Sequence, residues 1–514
     1  MAARHSHLRS LRHDHYDARV PPRRQTPEDE SPPTPPGIVP VLAIDRASEK
    51  PLYRQLYDGY REAIVERRLR PGQRLPSTRS LAAELQISRL PVLTAFEQLL
   101  AEGYFETRVG AGTFVASSLP DEPVPAGGGP ARSAAPPPRP EPEPWLRGWG
   151  AFRVSQPAVD RFPFAEWSSL LARLSRNPRS SQLLYGDPLG DRPFREAVAG
   201  YLRTSRAVRC VADQIMVVSG SQQALDLTAR VLLEPGSPVW VEEPGYSGAR
   251  DALRLAGARL VPVPVDSEGL DVAAGIAACP AARAVYVTPS HQYPLGMTMS
   301  ASRRLQLLDW AQKSGAWIIE DDYDSEYRYG SLPIASLQGL DRGSRVLYIG
   351  TFSKVLFPAL RLGYLVIPPD LVARCAAVRD AMDIFPPTLH QAALAEFIQE
   401  GHFARHIRRM RQVYRERRST LVEAIAQELG DAVQVVGDPA GLHLTALLPD
   451  AWNDREIAAQ AARQSLWTMP LSACHLAGTG ARQGLVLGFG GSEAAEIQTG
   501  VRRLRGVIER MSPC

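Results

Sequence analysis

Cysteine is scarce in this 514-residue chain: five residues, Cys210, Cys279, Cys375, Cys474 and Cys514, with no metal-type or disulfide-framework spacing among them. A set this sparse and odd fits a reducing cytoplasm. Long apolar runs are missing too. No stretch approaches the roughly 18 residues that would suggest a membrane span. The basic start, "MAARHSHLRSLRHDHYDARVPPRRQ", is not followed by an apolar segment, which argues against a secretory signal. Charge of one sign is also lacking. The net charge is +4 over the whole chain, so any nucleic-acid site must be local. What remains is ordinary for a soluble globular protein, with 44% apolar and 22% charged residues. The length exceeds what one core supports, so two or more domains are expected.

Composition divides the chain. Residues 1–43 read as a disordered basic extension; its histidines at 5, 7, 13 and 15 suit either a solvated tail or a metal. Residues 44–116 carry helical periodicity. Residues 117–147, "SSLPDEPVPAGGGPARSAAPPPRPEPEPW" at their core, are rich in Pro, Ala and Gly and cannot bury enough surface to fold, so they read as a linker. From 148 to 512, short apolar runs such as "QIMVVSG", "PVWVEEP", "ARAVYVTP", "AWIIEDD" and "RVLYIG" alternate with helical segments. That alternation predicts an α/β domain with a mostly parallel sheet.

Within 44–116, Tyr53, Leu56, Tyr57, Tyr60 and Ile64 recur at helical spacing. After "PGQRLPS", Ser80 is placed to cap a short helix over 81–85. "QIS" then makes a turn into a second helix reaching about Glu102, with Val92, Phe96, Leu99 and Leu100 inward. Two strand-like arms flank the glycines in "GYFETRVGAGTFVA", which suits a wing on a helix-turn-helix. The segment resembles the GntR-type winged helix, matching P-S-x-R-x-L-A, then S-R, then E-Q-L-x-x-E-G-Y, then R-x-G-x-G-T-F-V. The resemblance implies that Ser77, Arg79 and Arg89 contact operator DNA, with Gly110, Gly112 and Thr113 in the wing. Arginine suits bidentate contacts to guanine or phosphate. Leu90 and Pro91 depart from the family pattern, which has a small polar residue and threonine there.

Four clusters carry the chemistry of the larger part. "VVSGSQQALDL" ends a strand at Gly220 and opens a helix at Ser221 and Gln222, where free N–H groups can bind phosphate. "VWVEEPGYSGAR" holds Tyr246 at a strand end, to stack on a flat group or simply to pack. "AWIIEDDYDSEYRYG" places acids after a buried strand; Asp321 and Asp322 face either a cation or, alternatively, a metal. "YIGTFSKVLFPALRLGY" sets Lys354 between apolar segments, seven residues before Arg361. A buried lysine with a depressed pKa is a nucleophile for a carbonyl. Pyridoxal 5'-phosphate needs such an amine, a phosphate cup, a stacking ring and an acid.

Residues 148–512 resemble a fold type I aminotransferase. "EDDYDSEYRY", "TPSHQYPLGMTMS" and "GTFSK…PALRLGY" are most similar to the MocR/GabR subfamily, in which a GntR winged helix precedes such a domain. The resemblance implies a seven-strand-type, mostly parallel sheet with helices on both faces and a small C-terminal α+β subdomain. It makes Lys354 the Schiff-base lysine. Asp321 pairs with the pyridine nitrogen, Tyr323 with the ring 3′-oxygen, and Tyr246 with the ring face. Ser221, Gln222, Ser353 and Arg361 hold the phosphate. Tyr185 reaches the phosphate of a second copy, which implies a homodimer. His291 and Gln292 fall in the loop lining the site.

Two carboxylate handles are missing. Aminotransferases carry an arginine in a pattern like R-L-x-F near the C-terminus; here "GLVLGFGG" puts Val486 there, and Arg482 is out of register. A GABA-responsive member has an arginine two residues after the stacking tyrosine; here Gly248 stands. Arg405, Arg409 and Arg411 could serve instead or form a solvated face. The expectation is a DNA-binding regulator in which a small amine or amino acid, or the cofactor's own level, acts at Lys354 to switch operator binding. A working aminotransferase carrying a DNA-binding module is the alternative.

Overall fold

The computed structural model describes residues 44–119, 143–330, 334–476 and 482–511. The expected extension over 1–43, and the expected linker from 120 to 142, lie outside them. The chain forms two compact units, residues 1–139 and 140–514.

In the first unit, helix α1 (Leu52–Val65) buries Leu56, Tyr57, Tyr60, Ala63 and Ile64, whereas Tyr53 stays 38% exposed. Helix α2 spans Thr78–Glu84. Its cap is Ser77 rather than Ser80: the Ser77 hydroxyl accepts the Ser80 N–H at 3.1 Å. The helix thus starts earlier than expected, because Ser80 supplies one of the free first-turn donors that a cap satisfies. Helix α3 (Arg89–Ala101) buries Val92, Ala95, Phe96 and Leu99. Strands β1 (Phe105–Arg108) and β2 (Gly112–Val115) form an antiparallel hairpin, Phe105 opposite Val115 and Arg108 opposite Gly112. Tyr60, Phe96 and Phe105 meet edge to face, with centroids 5.0–5.5 Å apart, and bind α1, α3 and β1 into one core.

The second unit is built on an eight-stranded sheet: β3 (Ile215–Val218), β4 (Pro238–Glu243), β5 (Arg259–Asp266), β6 (Gly269–Leu270), β7 (Ala284–Val287), β8 (Trp317–Asp322), β9 (Val346–Thr351) and β10 (Gly363–Val366). Their order is β3-β10-β9-β8-β7-β4-β5-β6. Strands β4, β5, β7, β8 and β9 are mutually parallel, while β10 runs antiparallel to both β3 and β9. Beside the expected seven strands stands the two-residue edge strand β6. Strands β3, β7, β8, β9 and β10 are buried along their whole length, as strands covered on both faces must be. Strand β5 alternates instead and exposes Pro262 and Pro264, which precede the two residues that pair with β6, so their lack of an N–H donor costs no ladder bond on that side.

Strands β11 (Gln434–Val436), β12 (His443–Leu447), β13 (Met469–Pro470) and β14 (Gly484–Gly488) form a second, antiparallel sheet. It packs on the helices His402–Leu429 and Ala494–Met511. Trp145, placed by composition in the linker, is buried in this core, so the second unit begins before residue 147.

One buried ion pair lies at the end of β8. Arg206 donates through Nη2 (2.6 Å) and Nε (2.9 Å) to Asp322 Oδ2, which also accepts the Tyr348 hydroxyl. Both side chains are nearly inaccessible. Removing one partner of such a pair costs about 3–5 kcal/mol, because the other charge is left buried alone. Asp322→Asn is therefore expected to lower the stability of this unit by about that amount. All eight tryptophans lie in it, so urea unfolding followed by tryptophan fluorescence measures the change directly.

Candidate functional site

The carboxyl ends of β3, β4, β8 and β9 converge on a cavity of about 170 Å³. Ser221, Gln222, Tyr246, Asp321, Tyr323, Ser353, Lys354 and Arg361 line it. Four segments far apart in sequence thus meet where ligands bind in open α/β sheets.

Lys354 follows β9. Its Nζ donates to the backbone oxygen of Ser155 at 3.1 Å. Burial lowers its pKa to about 8, with Arg361 and Arg153 acting in the same direction and Asp324 and Asp321 against it. Ser155 itself adopts a left-handed φ of 68°, as does Phe152 at 65°. Asp321, on β8, accepts the Tyr286 hydroxyl at 2.9 Å through Oδ2, while its buried Oδ1 has no partner. Burial pushes its pKa up to about 7, opposed by the Tyr286 bond. A cation or N–H donor facing Oδ1 would restore the ionised form.

The opposite side of the cavity is built around Gly220. Its φ of 100° turns the chain from β3 into the helix Ser221–Leu232, whose first turn has no side-chain cap. A Cβ on Gly220 would touch the Arg361 guanidinium at 3.4 Å, and the positive φ is what favours glycine there. The Arg361 guanidinium has no hydrogen-bond or ion-pair partner among the described residues, only its backbone N–H being bonded, to Pro358 O. Ser353 is fixed from both ends: its N–H donates to Thr351 Oγ1 and its Oγ accepts the Thr351 hydroxyl, each at 3.1 Å.

Other named residues lie outside the cavity. Tyr185 is 83% exposed and does not line the cavity; its ring meets Phe385 edge-on at 6.0 Å. His291 and Gln292 do not line it either. Gln292 is consumed in fixing its own loop, donating to Pro244 O and Tyr293 O and accepting the Leu295 N–H. His291 lies behind Tyr323: the Tyr323 hydroxyl donates to His291 O at 2.9 Å, and His291 Nδ1 contacts Asp324 at 3.1 Å. Asp321 and Asp322 do not converge on a shared ion, since Asp322 is committed to Arg206. Sequence reasoning missed Ser155, Tyr286, Thr288, Tyr293, Thr351 and Pro358, which also line the cavity. All but Ser155 fall inside motifs singled out in the sequence, Tyr286 and Thr288 in "ARAVYVTP", Tyr293 in "TPSHQYPLGMTMS", Thr351 and Pro358 in "GTFSK…PALRLGY", without being named there.

The missing handles are built into the packing. Val486 is buried on β14 against Leu295, Leu447 and Leu471. At Gly248, a Cβ would lie 2.5 Å from the Tyr246 ring and 2.8 Å from Gln222 Oε1, so no larger residue enters without displacing both. Arg405, Arg409 and Arg411 bond to Glu400 O, Arg161 O and Glu326 O, and none lines the cavity.

In the first unit, Ser77 and Arg79 are exposed at the start of α2. Arg89 opens α3, and its Nε donates to Thr78 Oγ1 at 3.1 Å, which leaves the outer fork free. Gly110 and Gly112 turn the hairpin with φ of 76° and 109°. Thr113 O accepts the Leu75 N–H, and Arg74 forms an isolated antiparallel bridge to Phe114 that the sequence did not signal.

Comparison with known proteins agrees with both parts. The family described as aminotransferase class I and II matches residues 157–488, and that described as bacterial regulatory proteins, gntR family, matches residues 52–115. The chain is 40% identical over 479 residues to the probable rhizopine catabolism regulatory protein MocR of Rhizobium meliloti, covering 91% of this chain and 96% of that one. It is 32% identical to the pyridoxine biosynthesis transcriptional regulator PdxR of Corynebacterium glutamicum, over 87% and 94% of the two chains. Among solved structures, LysN, an alpha-aminoadipate aminotransferase from Thermus thermophilus complexed with N-(5'-phosphopyridoxyl)-L-leucine, matches with a TM-score of 0.66 and 30% identity, over 71% of this chain and 94% of that one.

The depressed pKa of Lys354 has a direct readout, because the chain has only three lysines, the other two being Lys50 and Lys313 on the surface. After treatment with a small aromatic aldehyde and reduction, mass spectrometry resolves all three. The neutral amine reacts, so the Lys354 rate is expected to rise with pH and level off just above about 8. A Lys354 rate still climbing at pH 10 would show that burial does not depress it.

Proposed function

The chain belongs to the class I and II aminotransferase family and, through its N-terminal segment, to the GntR-type transcriptional regulators of the MocR form, and from that premise we propose that pyridoxal 5'-phosphate bound at Lys354 governs operator binding. The observation that carries this reading is the buried, readily neutralised Lys354 amine in one cavity with the unpartnered Asp321 Oδ1 and the unpaired Arg361. When bound, the cofactor supplies an aldehyde for amine chemistry and an electron-withdrawing ring.

Each residue then has a role its surroundings support. Lys354 offers a neutral nitrogen to the aldehyde. Asp321 Oδ1 accepts the pyridine N–H, and Tyr246 covers the ring. Tyr323, beside His291, hydrogen-bonds the ring 3′-oxygen. Ser221, Gln222, Ser353 and Arg361 hold the phosphate, the arginine through a charge-assisted fork. Tyr185, exposed beside Leu183 and Leu184, reaches the phosphate of a second copy in a homodimer.

The packing around Val486 and Gly248 supports sensing over turnover, because the pocket lacks the arginines that clamp a substrate carboxylate. The effector is a small amine or amino acid, or the cofactor's own level. It acts by favouring one of two arrangements of the protein that differ in affinity for DNA. In the cytoplasm, Ser77, Arg79, Arg89 and the wing residues Gly110, Gly112 and Thr113 hold the operator. Among the described residues, no helix is long and apolar enough to cross a membrane.

Two measurements test the reading. Purified protein is expected to show the visible absorbance of bound pyridoxal phosphate, and Lys354→Ala to lose it; a wild type without that band ends the cofactor reading. Arg89→Ala is expected to weaken binding to the region upstream of the protein's own gene by about tenfold or more, the worth of one bidentate contact. Unchanged binding removes Arg89 from the DNA contacts.

A further inference from the structure

The first turn of α3 shows solvent an apolar side chain. Leu90, the second helical residue, is 69% exposed and takes no part in the apolar core of its unit. Its backbone is fastened: the Thr94 hydroxyl donates to Leu90 O at 3.1 Å. Arg89 beside it is held by Thr78. A leucine so placed gains burial only from a partner.

A second observation concerns the polar groups of the same turn. Ser88 occupies the capping position yet makes no side-chain cap bond. Its natural acceptor role is toward the N–H two or three residues on. The third position is Pro91, which has no N–H. The turn therefore offers one uncommitted hydroxyl, one guanidinium fork and one leucine, with one backbone donor fewer for phosphate.

Residues at the N-terminal end of a recognition helix meet base edges in the major groove. The apolar group displayed there is the C5-methyl of thymine. We propose that Leu90 packs on a thymine methyl, beside the guanine that Arg89 reads, so that a methyl group is part of what marks this protein's operator. This rests on the reading of α3 as the helix that enters DNA.

The test uses the full-length protein and a duplex it selects from a random-sequence pool. Each thymine is replaced singly by deoxyuridine, which pairs identically but lacks the methyl. Wild type is expected to bind about fourfold more weakly at one position, the worth of a buried methyl. Leu90→Ala is expected to bind the thymine and deoxyuridine duplexes equally at that position, and Leu90→Ile to keep the preference. If no replacement weakens wild type, or if Leu90→Ala discriminates as wild type does, the proposal fails while DNA binding stands. If the pool yields no bound duplex, the DNA-reading role of α3 falls and this proposal with it.

Discussion

Taking an amine out of water while keeping it reactive is the constraint around which the larger unit is arranged. A lysine in the interior is costly as a cation, so burial drives it toward the neutral amine. Here burial works against nearby acids, so the amine crosses between its two forms close to physiological pH. That balance needs Asp321 and Asp324 near, yet not bonded to the nitrogen. The structure meets the need by giving each acid another partner, Tyr286 for one and His291 for the other. Asp322, the third acid in the run, is neutralised by Arg206 at the end of the same strand. Three consecutive-looking carboxylates thus answer to three different groups.

How much of this was legible in the sequence depended on range. The winged helix was readable because its signals are local: apolar spacing in α1 and α3, glycines in the wing, and a family pattern spread over one short stretch. The four pocket clusters were readable because each ends a buried run of β-branched and apolar residues. Ser155 and Tyr286 were not, since nothing near them in the chain says that they will meet Lys354 and Asp321. Ser155 lies 199 positions from the lysine it touches. Local errors had local causes. Ser80 and Ser77 are equally good caps by type, and only the backbone reveals which one is extended. His291 and Gln292 do fall in the loop whose Tyr293 lines the cavity, and their side chains bond to Asp324, Pro244 O and Tyr293 O.

The substitutions that set this chain apart are also of two kinds. Val486 and Gly248 are locked in place by neighbours, so their effect on the pocket is embedded in the packing. Leu90 is mostly exposed and stands outside the core of its unit. Ligand preference is therefore tied to stability in one unit, whereas surface chemistry in the other can change independently.

The bond from Lys354 to Ser155 has a mechanical side. Ser155 and Phe152 both hold left-handed backbone, a conformation costing on the order of 1–3 kcal/mol for such residues unless the surroundings enforce it. Ser155 is fastened by the very nitrogen that carries the chemistry. The stretch from 143 to 155, which opens this unit, is in that sense a sprung segment with the reactive amine as one of its catches. Whatever occupies that nitrogen also decides whether the catch is set.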